Sequence, residues 1–115
     1  TMYGFEDYSE DFSSDPLAFY YMAAVEVDKD APLPKGMYRK VVPKATYAVF
    51  TVNGNNANGE IGKAFRYIYF AWLPNSEYCI DEDALLDFEF YDERWDCQFG
   101  AAQMDIYVPI KRMEE

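Results

Sequence analysis

Residues 58–74 read NGEIGKAFRYIYFAWLP, and this stretch decides the class of fold. Ile61, Phe65, Ile68 and Trp72 recur at i, i+4, i+7 and i+11, the spacing that lines apolar side chains along one face of an α-helix. Asn58 stands at the expected start as a capping residue, Glu60 lies in the first turn, where the helix dipole favours an anion, and Pro74 closes the far end. Outside the helix the pattern is that of strands. TYAVFTV, Thr46 to Val52, alternates Tyr47, Val49 and Thr51 on one side with Ala48, Phe50 and Val52 on the other. Leu85 to Tyr91 and Met104 to Ile110 also read as strands, joined by the polar DERWDCQFGAAQ. LAFYYMAAVEV, Leu17 to Val27, reads as a buried strand ending at the turn-rich DKDAPLPKG, with a short strand around Met2 to Phe5 before it. Strand, strand, helix, strand, strand predicts an α+β fold: a curved antiparallel sheet with one main helix across a face.

The chain has 115 residues, so residues 1–115 are expected to form one domain. Ten Lys and Arg against 21 Asp and Glu leave a net charge of −11, and histidine is absent. That composition excludes Ser-His-Asp and Cys-His nucleophile chemistry, and an acidic chain repels phosphate backbones, so no direct nucleic-acid partner is expected. Half of the residues are hydrophobic and 11 Tyr, 9 Phe and 2 Trp are present, which excludes a disordered chain. Acidic and aromatic together suit a cation with an apolar body, since carboxylates supply charge and ring faces supply area and cation–π attraction. Cys79 and Cys97 sit outside any CxxC spacing and read as free thiols of a reducing compartment. No basic leader with an apolar core opens the chain and no apolar run spans a bilayer, so the expectation is a cytoplasmic protein without membrane contact. DEDALLDFEFYDE lacks the glycine and ligand spacing of a calcium loop, so neither metal nor other cofactor is expected.

Glu89 is the residue to single out. It lies inside a strand whose Phe88 and Phe90 point the other way, so alternation groups Asp87, Glu89 and Tyr91. On a solvated face Glu89 is an ordinary surface acid. In an aromatic hollow, a carboxylate without a partner costs several kcal/mol, and a cationic ligand relieves that cost. The aromatic candidates around it are Tyr47, Trp72, Tyr91, Trp95 and Tyr107, each of which core packing also explains.

KATYAVFTV, then a helix ending in FAWLP, then DFEFYDE, then MDIYVPIK, in this order, resemble the GyrI-like effector-binding domain found in AraC-type and MerR-type multidrug regulators. The stretch YGFEDYSEDFSSDPLAFYYMAAVEV resembles the part of that family leading into a central strand. The likeness is strongest to its stand-alone, integron-associated (Cass2-like) members. The resemblance implies a non-enzymatic binding module for bulky aromatic or lipophilic cations, transcription-regulator-like without a DNA-binding domain. It assigns the central acid to Glu89 and the groove aromatics to Tyr47, Trp72 and Tyr107, with Tyr91 beside them. It also implies that the first strand and helix of the family fold are missing here, an N-terminally shortened domain. An uncovered sheet edge and apolar face then predict a homodimer. Two alternatives stand beside this reading. The groove glutamate could be the general base of a small-molecule hydrolase, or the acidic surface could serve a gyrase-inhibitor-like protein interaction.

Overall fold

A computed structural model describes residues 1–7, 20–84, 86–95 and 102–113. Six strands, β1 (Met2–Asp7), β2 (Tyr20–Ala24), β3 (Thr46–Asn53), β4 (Tyr78–Ile80), β5 (Leu86–Tyr91) and β6 (Gln103–Arg112), form one antiparallel sheet in the order β2-β1-β5-β6-β3, with β4 paired to the far end of β6. The helix α1 (Glu60–Tyr67) runs on into a π-helical turn, Ile68–Trp72. The α+β class expected from the alternation and the helical stripe is the one found.

The helix covers half of one sheet face, and its stripe explains why. Ile61, Ala64, Phe65, Ile68, Tyr69 and Trp72 pack on Val52, Met104, Ile106, Val108 and Ile110 of β3 and β6. Ile68, Met104, Ile106 and Val108 are fully buried, so this layer is where burial of apolar surface contributes most. The π-turn is marked by the Leu73 N–H donating to the Ile68 carbonyl at 2.8 Å. Its wider pitch lets neighbouring Ile68 and Tyr69 both address the sheet, which a strict α-helical stripe does not allow.

The local details differ from the sequence expectation in two places. The helix starts at Gly59, whose φ of 73° is easy only for glycine, and not on an Asn58 side-chain cap. The orphan amide of Ile61 is met by Asn56 Oδ1 at 3.0 Å. The segment expected as a buried strand over residues 17–27 is strand only at Tyr20–Ala24 within the described residues, and it lies at the sheet edge, where Tyr21, Val25 and Val27 are exposed. Cys97 and Leu85 lie outside the described residues; Cys79 is in no disulfide. Among the described residues no helix is long and apolar enough to cross a membrane.

Candidate functional site

Side chains on directly paired residues share a face of a sheet, so register places every candidate. One row runs Ala23, Gly4, Glu89, Ile106, Phe50 across β2, β1, β5, β6 and β3. A second row on the same face runs Tyr21, Glu6, Asp87. Ile106 and Phe50 lie under the helix, so the carboxylates occupy the half of this face that the helix leaves free. The opposite face carries Met22, Phe5, Phe88, Tyr107 and Val49 in a single row.

Three carboxyl groups, Glu6, Asp87 and Glu89, are therefore close neighbours, and all are buried, at 6 %, 2 % and 6 % exposure. Tyrosines donate to them. Tyr91 reaches Glu89 Oε1 at 2.5 Å, Tyr21 reaches the same oxygen at 3.4 Å, and Tyr69 from the π-turn donates to Asp87 Oδ2. Among the described residues, none of the ion pairs includes Glu6, Asp87 or Glu89; Arg94, Lys111 and Arg112 are paired elsewhere. Burial, with hydrogen bonds to Glu89 and Asp87, pushes Glu6 up to about 12 from the usual 4.5, so its carboxyl keeps its proton at neutral pH. Asp87 is raised by burial too, opposed by the hydrogen bonds from Glu6 and Tyr69 that favour its ionised form. The phenols feel the same environment. Burial and the charge of Glu89 push Tyr21 up to about 12, and burial with the bond to Glu89 raises Tyr91 well above the usual tyrosine range.

Gly4 makes the arrangement possible. A Cβ here would meet the Tyr21 hydroxyl in hard overlap and stand 3.2 Å from Glu89 Oε1. The Tyr21 ring folds over this gap to reach Glu89, though it is 57 % exposed and its contact is long. Gly4→Ala is accordingly expected to swing Tyr21 outward while leaving the fold intact, because the clashing atom is the end of a mobile side chain. In ring-labelled protein, Tyr21, which burial and Glu89 push up to about 12, should titrate closer to 10 in the variant; the same titration in both forms would show that Tyr21 does not depend on the gap.

Of the residues singled out from sequence, Glu89 and Tyr91 are brought together. Trp95 packs edge-on against Tyr91 with ring centroids 5.0 Å apart. Trp72 lies on the same face but over Phe50, 5.0 Å between centroids, two strand spacings or about 10 Å along the row from Glu89. Tyr47 and Tyr107 are on the other face, where Tyr107 stacks on Phe88 at 4.7 Å and Tyr47 meets the same ring edge-on at 5.5 Å. The structure does not bring these two to Glu89. Sequence reasoning missed Glu6, Tyr21, Tyr69 and Gly4. The alternation of Gly4 and Glu6 was there to be used, but the expected strand stopped at Phe5, one residue short of Glu6.

A cavity of about 510 Å³ lies on the opposite face, floored by Tyr3, Phe5, Met22 and Phe88 and covered by the linker through Leu33 and Tyr38. Its charged lining sets Glu26 and Asp28 against Lys29, Arg39 and Lys40, so it carries no excess of negative charge for a cation, and the buried carboxyls define the candidate site better than this void does. Among the described residues no group of His, Cys, Asp and Glu is arranged to hold a metal ion.

The family model for the GyrI-like small molecule binding domain matches residues 2–111, which takes in the helix and all of the sheet but the last residue of β6. The transcriptional regulator BrlR of Pseudomonas aeruginosa is 39 % identical over 93 residues, 80 % of this chain and 33 % of that protein. A DNA gyrase inhibitor of Erwinia billingiae is 28 % identical over 93 residues, 78 % of this chain and 57 % of that protein. The chain thus spans a third of one relative and somewhat over half of the other.

Proposed function

The chain belongs to the GyrI-like small-molecule-binding family, and from that premise we propose that it is a non-enzymatic binding module for bulky aromatic or lipophilic cations, with Glu89 as the counter-ion. The observation that carries this reading is a carboxylate at 6 % exposure, held by tyrosines, in an ion pair with no side chain among the described residues. Such a group is best satisfied by a cation brought from outside, and ring faces beside it add attraction for a delocalised charge. Tyr91 and Trp95 form one wall, and Trp72 stands further along the same face. Tyr21 closes the site and leaves it when a ligand enters, since its ring is more than half exposed and its bond to Glu89 is the longer of the two.

Calorimetry with tetraphenylphosphonium, against the neutral triphenylphosphine oxide, tests the reading. Saturable binding of the cation with much weaker binding of the neutral compound supports it, and no binding of any aromatic cation sinks it. The hydrolase alternative would need Glu89 to reach a substrate or its water, whereas the Tyr91 and Tyr21 hydroxyls already occupy Glu89 Oε1 at 2.5 Å and 3.4 Å. Turnover of an activated ester, lost in Glu89→Gln, would reinstate it. A protein-interaction role like that named for the Erwinia relative has no feature of the site in its favour.

The remaining parts of the reading are proposed on sequence grounds: a cytoplasmic, effector-binding protein close to the integron-associated members, with no direct nucleic-acid contact. The homodimer is proposed from the edge of β2, which among the described residues pairs with β1 alone. Sedimentation equilibrium should give twice the chain mass at micromolar concentration; a single-chain mass at all concentrations removes the dimer.

A further inference from the structure

The carboxyl groups beneath Glu89 pose a problem that ligand binding alone does not solve. Glu6 and Asp87 face one another across the β1–β5 register, at 6 % and 2 % exposure. Among the described residues, Glu6 Oε2 and Asp87 Oδ1 are buried atoms without a hydrogen-bond partner. Asp87 Oδ2 takes the Tyr69 hydroxyl, and Glu89 Oε1 takes the Tyr91 and Tyr21 hydroxyls. The titratable groups facing Glu6 among the described residues are thus Asp87, Glu89 and Tyr91 from β5 and Tyr21 from β2, with Tyr69 reaching in through Asp87, and no cation is among them.

Two ionised carboxylates placed side by side would repel, and each orphan oxygen would remain unmet. One proton between them meets both. Asp87 already has the Tyr69 donor, which favours its ionised form, so the proton belongs on Glu6.

We propose that Glu6 is a positioning residue that works as a neutral carboxylic acid: its O–H is donated to Asp87, and this capped pair fixes Glu89 for an incoming cation without competing for that cation's charge. The functional half rests on the cation-binding reading given above. Two consequences separate Glu6 from a second counter-ion. An uncharged side chain that keeps a donor at this position should serve as well as the acid, and cation affinity should not depend on pH near neutrality. Burial and the bonds to Glu89 and Asp87, which push Glu6 up to about 12, agree with that role.

The test uses the whole chain, tetraphenylphosphonium and three forms: wild type, Glu6→Gln and Glu6→Ala. Glu6→Gln, which keeps an N–H donor, should bind within about twofold of wild type, while Glu6→Ala, which leaves Asp87 uncapped, should lose about tenfold or more. Wild-type affinity should stay flat between about pH 6 and 9, and the carboxyl carbon of Glu6 in labelled, ligand-free protein should keep its protonated chemical shift over the same range. A loss in Glu6→Gln as large as in Glu89→Gln, or a Glu6 carboxyl that titrates below about pH 6, would overturn the proposal. If wild type binds no cation, the binding reading falls and the carboxyl shift still decides the state of Glu6. If Glu6→Ala does not fold, Glu6→Gln and the carboxyl shift decide between them.

Discussion

Tetraphenylphosphonium affinity is expected to fall roughly a hundredfold in Glu89→Gln, the size of effect seen when one partner of a desolvated charge pair is neutralised, about 3 kcal/mol. The substitution keeps shape and keeps a group able to accept from Tyr91, so what it removes is charge. Affinity for triphenylphosphine oxide should then be unchanged, which separates loss of the counter-ion from loss of the pocket. Fold stability should hold or rise, because a buried carboxylate near two other carboxyl groups is replaced by an amide. Tyr107→Phe, on the other face of the sheet, should leave the cation affinity within about twofold. Equal losses for the charged and neutral compounds in Glu89→Gln would show that Glu89 shapes the site without acting as a counter-ion.

The comparison with Tyr107 also shows where sequence reading reaches its limit. Alternation inside DFEFY correctly set Asp87, Glu89 and Tyr91 on one side and Phe88 on the other, and the helical stripe of Ile61, Phe65, Ile68 and Trp72 is the one that packs on the sheet. Both are periodicities within one element. Whether Tyr107 joins Glu89 or Phe88 depends instead on how β5 pairs with β6, and a shift of one residue reverses the answer. Nothing in either strand alone sets that register; the structure pairs Phe88 with Tyr107 and so turns both away from Glu89. Tyr47 follows, because Tyr47 pairs with Pro109, two residues along β6 from Tyr107, and therefore shares its face. The π-turn is hidden for a different reason. It needs one extra residue per turn at Ile68–Trp72, and the stripe reads equally well as plain α-helix through those positions. The third carboxyl, Glu6, was lost to a strand boundary, the least secure feature of any pattern-based reading, and its chemistry depends on two partners 81 and 83 residues away in the chain (87 − 6 and 89 − 6).

The same carboxyl governs the second large effect, a fall in folding stability as the pH rises. The folded chain holds a proton on Glu6 that the unfolded chain releases above about 4.5, so over that range the native state binds more protons than the unfolded state and stability falls with increasing pH. The contribution is fully present below about 4.5 and is lost progressively toward about 12, at a limiting slope of about 1.4 kcal/mol per pH unit for one proton. Asp87, also raised, adds a slope of the same sign, and the repulsion of a net charge of −11 acts on every form of the chain. Glu6→Gln isolates the one group, because an amide does not titrate while Asp87 and the surface charge stay as they are. Urea unfolding at pH 5, 6, 7 and 8 should give wild type and variant similar stabilities near pH 5 and curves that separate above it, with the variant more stable by roughly 3 kcal/mol two pH units higher. Parallel curves would mean that Glu6 ionises in the folded protein. The buried triad would then hold adjacent negative charges, and the orphaned oxygens of Glu6 and Asp87 would require a donor from elsewhere than this pair.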